Sequence, residues 1–175
     1  MNLRNPLKSD FTKNVVTLVT GTTIAQAIPV AISPILTRLY SPDDFGVYAL
    51  FGSITAILGS IVSGRYEQAI ILPKRDEDAI NILSFGLLIT ICISILTLIL
   101  VILFNPFFAQ ILGNESISKW LYFIPLVIFF MGLFNLLTYY NIRMGNFNDL
   151  AKATVIKSLV LSILQMILGF FKYAA

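Results

Sequence analysis

Three arginines and a glutamate border the long apolar runs of this chain, and their side chains could bind an anion. Arg65 and Glu67 lie in the stretch SGRYEQAIILPKRDEDA, residues 63–79, ahead of a second, shorter apolar run. Arg38 follows the first long apolar run, and Arg143 follows the fourth. A guanidinium in a wet cavity is a strong ligand for phosphate or carboxylate oxygens. Together the arginines predict a path for an anionic cargo, with cationic groups near both of its mouths.

The rest of the chain offers little catalytic chemistry. It has no histidine, and its single cysteine, Cys92, stands inside an apolar run, so an internal disulfide and a CxxC metal site are both excluded. No nucleophile has a base beside it, no apolar run carries paired carboxylates, and there is no glycine-rich phosphate loop. The net charge of +3 comes from basic residues between apolar runs, which does not indicate nucleic-acid binding. We therefore expect no catalysis, no metal and no cofactor.

The elements that must position these side chains are transmembrane helices. Of the 175 residues 57% are hydrophobic and 12% are charged, with a mean hydropathy of +0.87, whereas soluble domains average about 45–50% apolar and about 25% charged residues. Runs of about 20 apolar residues are long enough to cross about 30 Å of hydrocarbon. The sequence predicts an all-α polytopic helix bundle forming one transmembrane domain over residues 1–175, with about five spans at 15–36, 45–72, 80–104, 121–140 and 153–171.

The end of the second span decides where Arg65 lies, and two alternatives are open. If the helix stops at Gly64, Arg65 and Glu67 are headgroup residues. If it runs to Leu72, both lie within the inner leaflet, close enough to form a pair, and must face protein or water because a lipid-facing charge costs several kcal/mol. We favour the helix to Leu72, since the apolar residues before it need burial.

Other residues predict features inside the spans. Pro29 and Pro34, with Gln26 nearby, predict a bent first helix that carries polar groups toward a path. Asn105 and Pro106 are expected to end the third span. The second span carries a four-residue ladder of small residues, which favours close approach of another helix; its members are Gly52, Ala56, Ser60 and Gly64.

The distribution of Lys and Arg predicts the orientation of the chain. The N-terminus, the second loop and the fourth loop hold nine of them, and the opposite side holds Arg38, Lys119 and Lys172. Since positively charged loops stay in the cytoplasm, the N-terminus is expected inside. The nine inner residues are Arg4, Lys8, Lys13, Arg65, Lys74, Arg75, Arg143, Lys152 and Lys157.

Three motifs in this order resemble a known family. They are LTRLYSPDDFGVYALF at 36–51, SGRYEQAIILP at 63–73 and YYNIRMGNFNDLAKATV at 139–155. The chain resembles the N-terminal part of bacterial oligosaccharide flippases of the O-antigen type, within the multidrug/oligosaccharidyl-lipid/polysaccharide exporter superfamily. The resemblance implies a two-lobed transporter of about a dozen helices in the bacterial inner membrane, which moves a polyprenyl-pyrophosphate-linked oligosaccharide to the outer leaflet by alternating access.

The same resemblance implies roles for individual residues and partners. Arg65 and Arg143 on the cytoplasmic side, and Arg38 on the outer side, would meet the anionic substrate, and Gln26 would be a polar cavity group. We also count Glu67 among the candidate substrate-binding residues, and in the alternative of an ion-coupled exporter it is the candidate for ion coupling. The implied partners are the lipid-linked oligosaccharide, the lipid bilayer, and a polysaccharide polymerase or chain-length protein.

The length of the chain departs from the family pattern. Five spans are one short of a six-helix lobe, and the family encloses its path with two lobes, so we expect a truncated fragment. Two alternatives stay open. One is a small non-transporting membrane subunit that pairs through the ladder from Gly52 to Gly64; the other is an ion-coupled exporter of the multidrug and toxic compound extrusion type.

Overall fold

The structure is a computed structural model that describes residues 6–174, and helices make up most of it. No strand occurs in that part of the chain, so the predicted all-α polytopic bundle is confirmed. The N-terminal charge predicted at Arg4 lies outside the described residues. In chain order the helices are α1 Pro6–Leu39, α2 Pro42–Gly59, α3 Tyr66–Ala69, α4 Asp76–Ile111, a 3-10 turn at Glu115–Ile117, α5 Ser118–Leu121, α6 Ile124–Arg143 and α7 Phe147–Ala174.

Four of the described helices are long and apolar enough to cross a membrane. They are Asn14–Leu39, Asp76–Ile111, Ile124–Arg143 and Phe147–Phe171. The second predicted span is not among them, because α2 ends at Gly59 and the chain then turns. The prediction of one helix from 45 to Leu72 is therefore wrong.

The third span continues past the proline that was expected to end it. α4 runs to Ile111, with a single irregular residue at Phe104 (φ −121°, ψ 18°). Pro106 lacks an N–H and crowds the preceding turn, which kinks a helix without requiring it to stop. Asn105 is buried at this kink and donates from Nδ2 to the Ser118 carbonyl at 2.9 Å, while the Ser118 hydroxyl donates to Asn105 Oδ1. These bonds fix the connection between α4 and α5.

Contacts divide the chain into two compact units, and the first joins both ends of the chain: Met1–Ser41 with Met144–Ala175. In this unit α1 and α7 run parallel. Gly21 faces Ala151, where an added Cβ would lie 2.6 Å from the alanine Cβ, and Gly169 lies against Leu39 and Tyr40. The Tyr40 hydroxyl also donates to the Gln165 carbonyl at 2.8 Å. Small residues thus let two distant segments approach closely.

A proline in α1 leaves a carbonyl that α7 satisfies. α1 continues through both Pro29 and Pro34. Because Pro29 has no N–H, the carbonyl of Ala25 loses its usual helical donor. The Ser158 hydroxyl of α7 donates to that carbonyl at 2.5 Å. The contact thus compensates for the proline and also fixes the register of α1 against α7.

The second unit is Pro42–Arg143, and its core lies among α2, α4 and α6. Ile70, Ala79 and Leu136 form one buried cluster. A second buried cluster consists of Val62, Val101, Ala109, Ile117, Leu121, Ile124 and Ile128. α4 and α6 run antiparallel, as short connections predict: Gly86 packs on Leu136, and the Asp76 carboxylate lies 3.0 Å from Arg143 Nη2.

Candidate functional site

The most unusual backbone of the second unit is the break between α2 and α3. Residues 60–65 form turns, in which the Ser60 N–H still bonds to the Ala56 carbonyl and the Gly64 N–H bonds to the Ile61 carbonyl. Gly64 (φ 60°) and Arg65 (φ 63°) then adopt left-handed conformations. Among the described residues Arg65 is the one non-glycine with a positive φ. A left-handed residue other than glycine costs about 1–2 kcal/mol, so the surrounding structure must hold it there.

Contacts with α6 place this break near the middle of a span. A Cβ added to Gly59 would lie 2.8 Å from Met131 Cε, and a Cβ added to Gly132 would lie 2.8 Å from Val62 Cγ1. At about 1.5 Å per residue, Gly132 is about 12 Å along α6 from Ile124 and about 16 Å from Arg143. The hydrocarbon half-thickness is about 15 Å. The break therefore lies about halfway along α6.

The segment after the break returns along the second half of α6. Tyr66 packs near Gly86 of α4, and Ile70 packs against Leu136. The residues of α2, the break and α3 together thus follow the depth of one span, but with irregular backbone at its centre. Irregular backbone at membrane depth is tolerated where it is buried in protein or lines water, and discontinuous helices of this kind form binding sites in transporters.

Glu67 is buried at this break, with 7% of its surface exposed. Its carboxylate Oε2 accepts a hydrogen bond from the hydroxyl of Ser63, which is also buried. The pair expected between Glu67 and Arg65 does not form: Glu67 is buried and accepts from Ser63, whereas Arg65 is exposed and makes no ion pair with a described residue. Neither Ser63 nor its role was foreseen from the sequence.

Arg65 is exposed, and its guanidinium makes no hydrogen bond or ion pair to any described residue. Since it lies in the break at about half the length of α6, lipid is an unfavourable environment for this charge. The role predicted for Arg65 toward an anionic substrate stays a prediction.

Arg143, by contrast, is engaged by the protein. It ends α6, only 11% of its side chain is exposed, and Nη1 donates to the carbonyls of Ile70 (3.2 Å) and Pro73 (2.6 Å). Nη2 contacts the Asp76 carboxylate at 3.0 Å. The guanidinium thus connects the end of α6 to the segment after α3 and to the first turn of α4. We call these contacts the Arg143 clamp.

Arg38 and Gln26 belong to the other unit. Arg38 is exposed in the last turn of α1, where a cation interacts favourably with the helix dipole. Gln26 is exposed near the middle of the membrane-length part of α1, Asn14–Leu39. Their predicted roles toward a substrate stay predictions.

The glycines that bring helices together are not the ones that the ladder indicated. An added Cβ on Gly52 would meet nothing within 4 Å, Ala56 is exposed, and Ser60 and Gly64 lie beyond the end of α2. The close approaches in this unit instead use Gly59, Gly86 and Gly132. The four-residue spacing did not identify the contact residues, because α2 ends at Gly59, before the last two members of the ladder.

The described residues contain no group of three or more histidine, cysteine, aspartate or glutamate side chains that could hold a metal ion. The family model described as polysaccharide biosynthesis protein matches residues 35–175 of the chain. Searches of curated proteins and of solved structures find no match. The family match includes all of the second unit and the α7 part of the first.

Proposed function

This chain belongs to the polysaccharide biosynthesis protein family, and from this premise we propose that it takes part in moving a lipid-linked oligosaccharide across the membrane. The cargo would be a polyprenyl-pyrophosphate-linked glycan, flipped from the inner to the outer leaflet of the bacterial inner membrane for a surface polysaccharide such as O-antigen or capsule. The family match and the four membrane-length helices support a membrane protein of polysaccharide biosynthesis.

The observation that carries the transport proposal is Arg65 in the broken second span. A cation at that depth with no protein partner suits a ligand that carries its own negative charge into the membrane, and the pyrophosphate of a lipid-linked glycan does so. The planar guanidinium can bond two phosphate oxygens at once. We assign Arg65 to the substrate and the Arg143 clamp to positioning of the segment after α3.

In the same proposal the chain works without chemical conversion of its cargo, and Arg38 meets the anion where it leaves the path. Glu67 is a candidate for ion coupling, supported by its burial. A polysaccharide polymerase or chain-length protein would receive the translocated glycan.

Deleting the gene from its host and restoring the full-length gene product would test this proposal. We expect deletion to lower surface polysaccharide and to leave lipid-linked oligosaccharide accumulated in the cytoplasmic leaflet, where an added glycosidase cannot reach it in intact spheroplasts. A matched control is deletion of the first glycosyltransferase of the pathway, which removes the lipid-linked oligosaccharide altogether. If deletion of this gene gave the second result, the protein would act in synthesis, and the transport proposal would be wrong.

A further inference from the structure

The backbone around Arg65 forms a turn of an unusual kind. The Tyr66 N–H bonds to the Ser63 carbonyl at 3.1 Å and closes a turn over residues 63–66, which we call the Arg65 turn. Its two central residues, Gly64 and Arg65, both have a positive φ. Type I′ turns share this feature, and they favour glycine, asparagine or aspartate at the central positions. An arginine at the second of these positions must therefore be held there by its surroundings.

A side-chain hydrogen bond spans the same turn. The Ser63 hydroxyl donates to the Glu67 carboxylate, and both residues are buried, with 1% and 7% of their surfaces exposed. Ser63 thus makes two bonds across the turn, one through its carbonyl and one through its hydroxyl. The hydroxyl bond can form with either protonation state of Glu67, since an ionised and a protonated carboxyl group both retain an acceptor oxygen. It is therefore separate from the candidate role of Glu67 in ion coupling.

The residues on either side of the central pair are fixed to other helices. Val62 is fully buried against Gly132 of α6. The Tyr66 ring makes an edge-to-face contact with Phe85 of α4, with the ring centroids 5.0 Å apart. With both flanks held, the direction in which the chain presents the Arg65 side chain depends on the conformation of the turn.

We infer that Ser63 and Glu67 are positioning residues for Arg65, and that their hydrogen bond locks the Arg65 turn in the left-handed conformation that presents the guanidinium. The inference rests on the proposed function for what Arg65 binds, and it adds how the chain holds that side chain. Glycine at position 65 would relieve the strain but would also remove the cation. The lock lets the chain combine this turn with a guanidinium.

Hydrogen exchange of the purified full-length gene product tests the lock. We expect the amides of residues 64–68 to exchange at least about tenfold faster in Ser63→Ala than in wild type, because the turn then opens more often. Glu67→Gln keeps an acceptor oxygen for the hydroxyl, so its exchange should stay within about threefold of wild type. Wild-type exchange rates in Ser63→Ala would overturn the inference.

The matched control is Ser118→Ala, which removes the same kind of bond elsewhere in the second unit. The Ser118 hydroxyl donates to Asn105 Oδ1. Asn105 lies about 30 Å along α4 from Phe85, which contacts the turn, at about 1.5 Å per residue. Ser118→Ala should leave the exchange of residues 64–68 unchanged. If it accelerated these amides as much as Ser63→Ala does, the effect would be a general loss of stability and the inference would be wrong.

Glu67→Met covers the case in which Ser63→Ala fails to fold because a buried carboxylate has lost its partner. This variant removes the carboxylate together with the bond, and methionine is an apolar side chain of similar length. We expect it to accelerate the exchange of residues 64–68 at least about tenfold. Exchange as slow as in wild type would overturn the inference.

Arg65→Gly tests whether the bond opposes the backbone strain at this position. Added to Ser63→Ala or to Glu67→Met, it should slow the exchange of residues 64–68 several-fold, because glycine adopts the left-handed conformation without cost. Exchange that the glycine does not slow would show that the bond holds a different feature of the segment, and the lock would be refuted.

Surface polysaccharide from the complemented deletion strain tests whether Arg65 acts through the lock. Normalised to the amount of protein in the membrane, Ser63→Ala should lower surface polysaccharide several-fold, and Ser118→Ala should not. Full surface polysaccharide combined with accelerated exchange in Ser63→Ala would overturn the positioning role. Because exchange does not require transport, a failed inference is distinguishable from a failed proposed function, which the gene deletion reports separately.

Discussion

Arg65 combines an unfavourable backbone conformation with an unpartnered charge, and substitutions can separate the two. In Arg65→Gly the left-handed conformation costs nothing, so we expect a protein more stable than wild type by about 1 kcal/mol. Arg65→Ala keeps the strained conformation and should gain none of that stability. Both variants should lower surface polysaccharide at least tenfold, while Arg65→Lys keeps the charge and should retain part of the activity.

Thermal unfolding in detergent and surface polysaccharide from the complemented deletion strain would measure the two effects. The role of Arg65 in binding would be contradicted if Arg65→Gly were stable and fully active. A loss of activity that followed loss of stability across the three variants would instead indicate a structural role.

The Arg143 clamp makes a different prediction, because its partners are mainly carbonyls. Arg143→Ala leaves the carbonyls of Ile70 and Pro73 without a donor, and we expect a loss of about 2–4 kcal/mol of stability. The carboxylate of Asp76 is 71% exposed, so Asp76→Asn should cost less than about 1 kcal/mol. Unfolding of the two variants side by side would measure this difference, and equal losses would contradict the dominance of the carbonyl contacts.

At the residue scale the sequence identified the charged positions better than their partners. It singled out Arg65 as a cation of the second span, and its predicted place in the inner leaflet stays a prediction. It could not predict the Arg143 clamp, since any residue type can supply the carbonyls at positions 70 and 73. The same holds for Ser63, whose importance comes from the turn that brings it to Glu67.

At the element scale the break in the second span was missed for a physical reason. Hydropathy identifies residues that avoid water, but it does not report whether their backbone hydrogen bonds run without interruption. The run through 45–72 is apolar on both sides of the break, and the local signal is the Ser63–Gly64 dipeptide, typical of turns. Pro106 led to the opposite error. It predicted the end of the third span, but the helix resumes after the kink at Phe104.

The contact between Ser158 and the Ala25 carbonyl predicts a double-mutant cycle. Ser158→Ala should lower stability by about 1 kcal/mol, because the carbonyl freed by Pro29 then has no donor. Pro29→Ala restores a helical N–H to that carbonyl, so in its background Ser158→Ala should have little effect. Thermal unfolding of the four proteins gives the coupling energy, and additive effects would show that Ser158 does not compensate for the proline.

Glycine substitutions test the helix contacts of the second unit. In Gly132→Ala the new methyl group would lie 2.6 Å from Thr90 Cγ2 and 2.8 Å from Val62 Cγ1, and both neighbours are fully buried. We expect a loss of about 1–3 kcal/mol from overpacking. Gly52→Ala is the matched control, since its methyl group meets nothing within 4 Å. Equal effects on the unfolding temperature would contradict this packing.

At the scale of the whole molecule, composition determined the class of fold but not which helices pair. Apolar runs of about 20 residues with few charges favour helices in lipid, because each helix satisfies its own backbone hydrogen bonds. The pairing of α1 with α7 depends on Gly21, Ala151 and Gly169, which lie far apart in the sequence and have no periodicity to connect them. Such pairing could not be derived from one sequence.

The two ends of the second unit differ in their basic residues, which predicts its orientation in the membrane. Within the second unit, the Arg143 clamp places the end of α6 and the start of α4 on one side, together with Lys74 and Arg75. The connection from α4 to α5 lies at the other end, with Lys119 as its basic residue. We therefore expect the loop near Gly145 in the cytoplasm and the loop near Gly113 outside.

Cysteines at these two loops in the Cys92→Ser protein would test the prediction with an impermeant thiol reagent on intact cells. We expect labelling of Ser116→Cys on intact cells and labelling of Met144→Cys only after the membrane is opened; both residues are exposed and avoid the left-handed glycines of the two loops. A variant with three lysines added to the loop near Gly113 is the control. If loop charge sets the orientation, these lysines should reduce the fraction of molecules with that loop outside. The reverse labelling pattern in the unaltered loops would contradict the predicted orientation, and Arg38 would then lie on the cytoplasmic side.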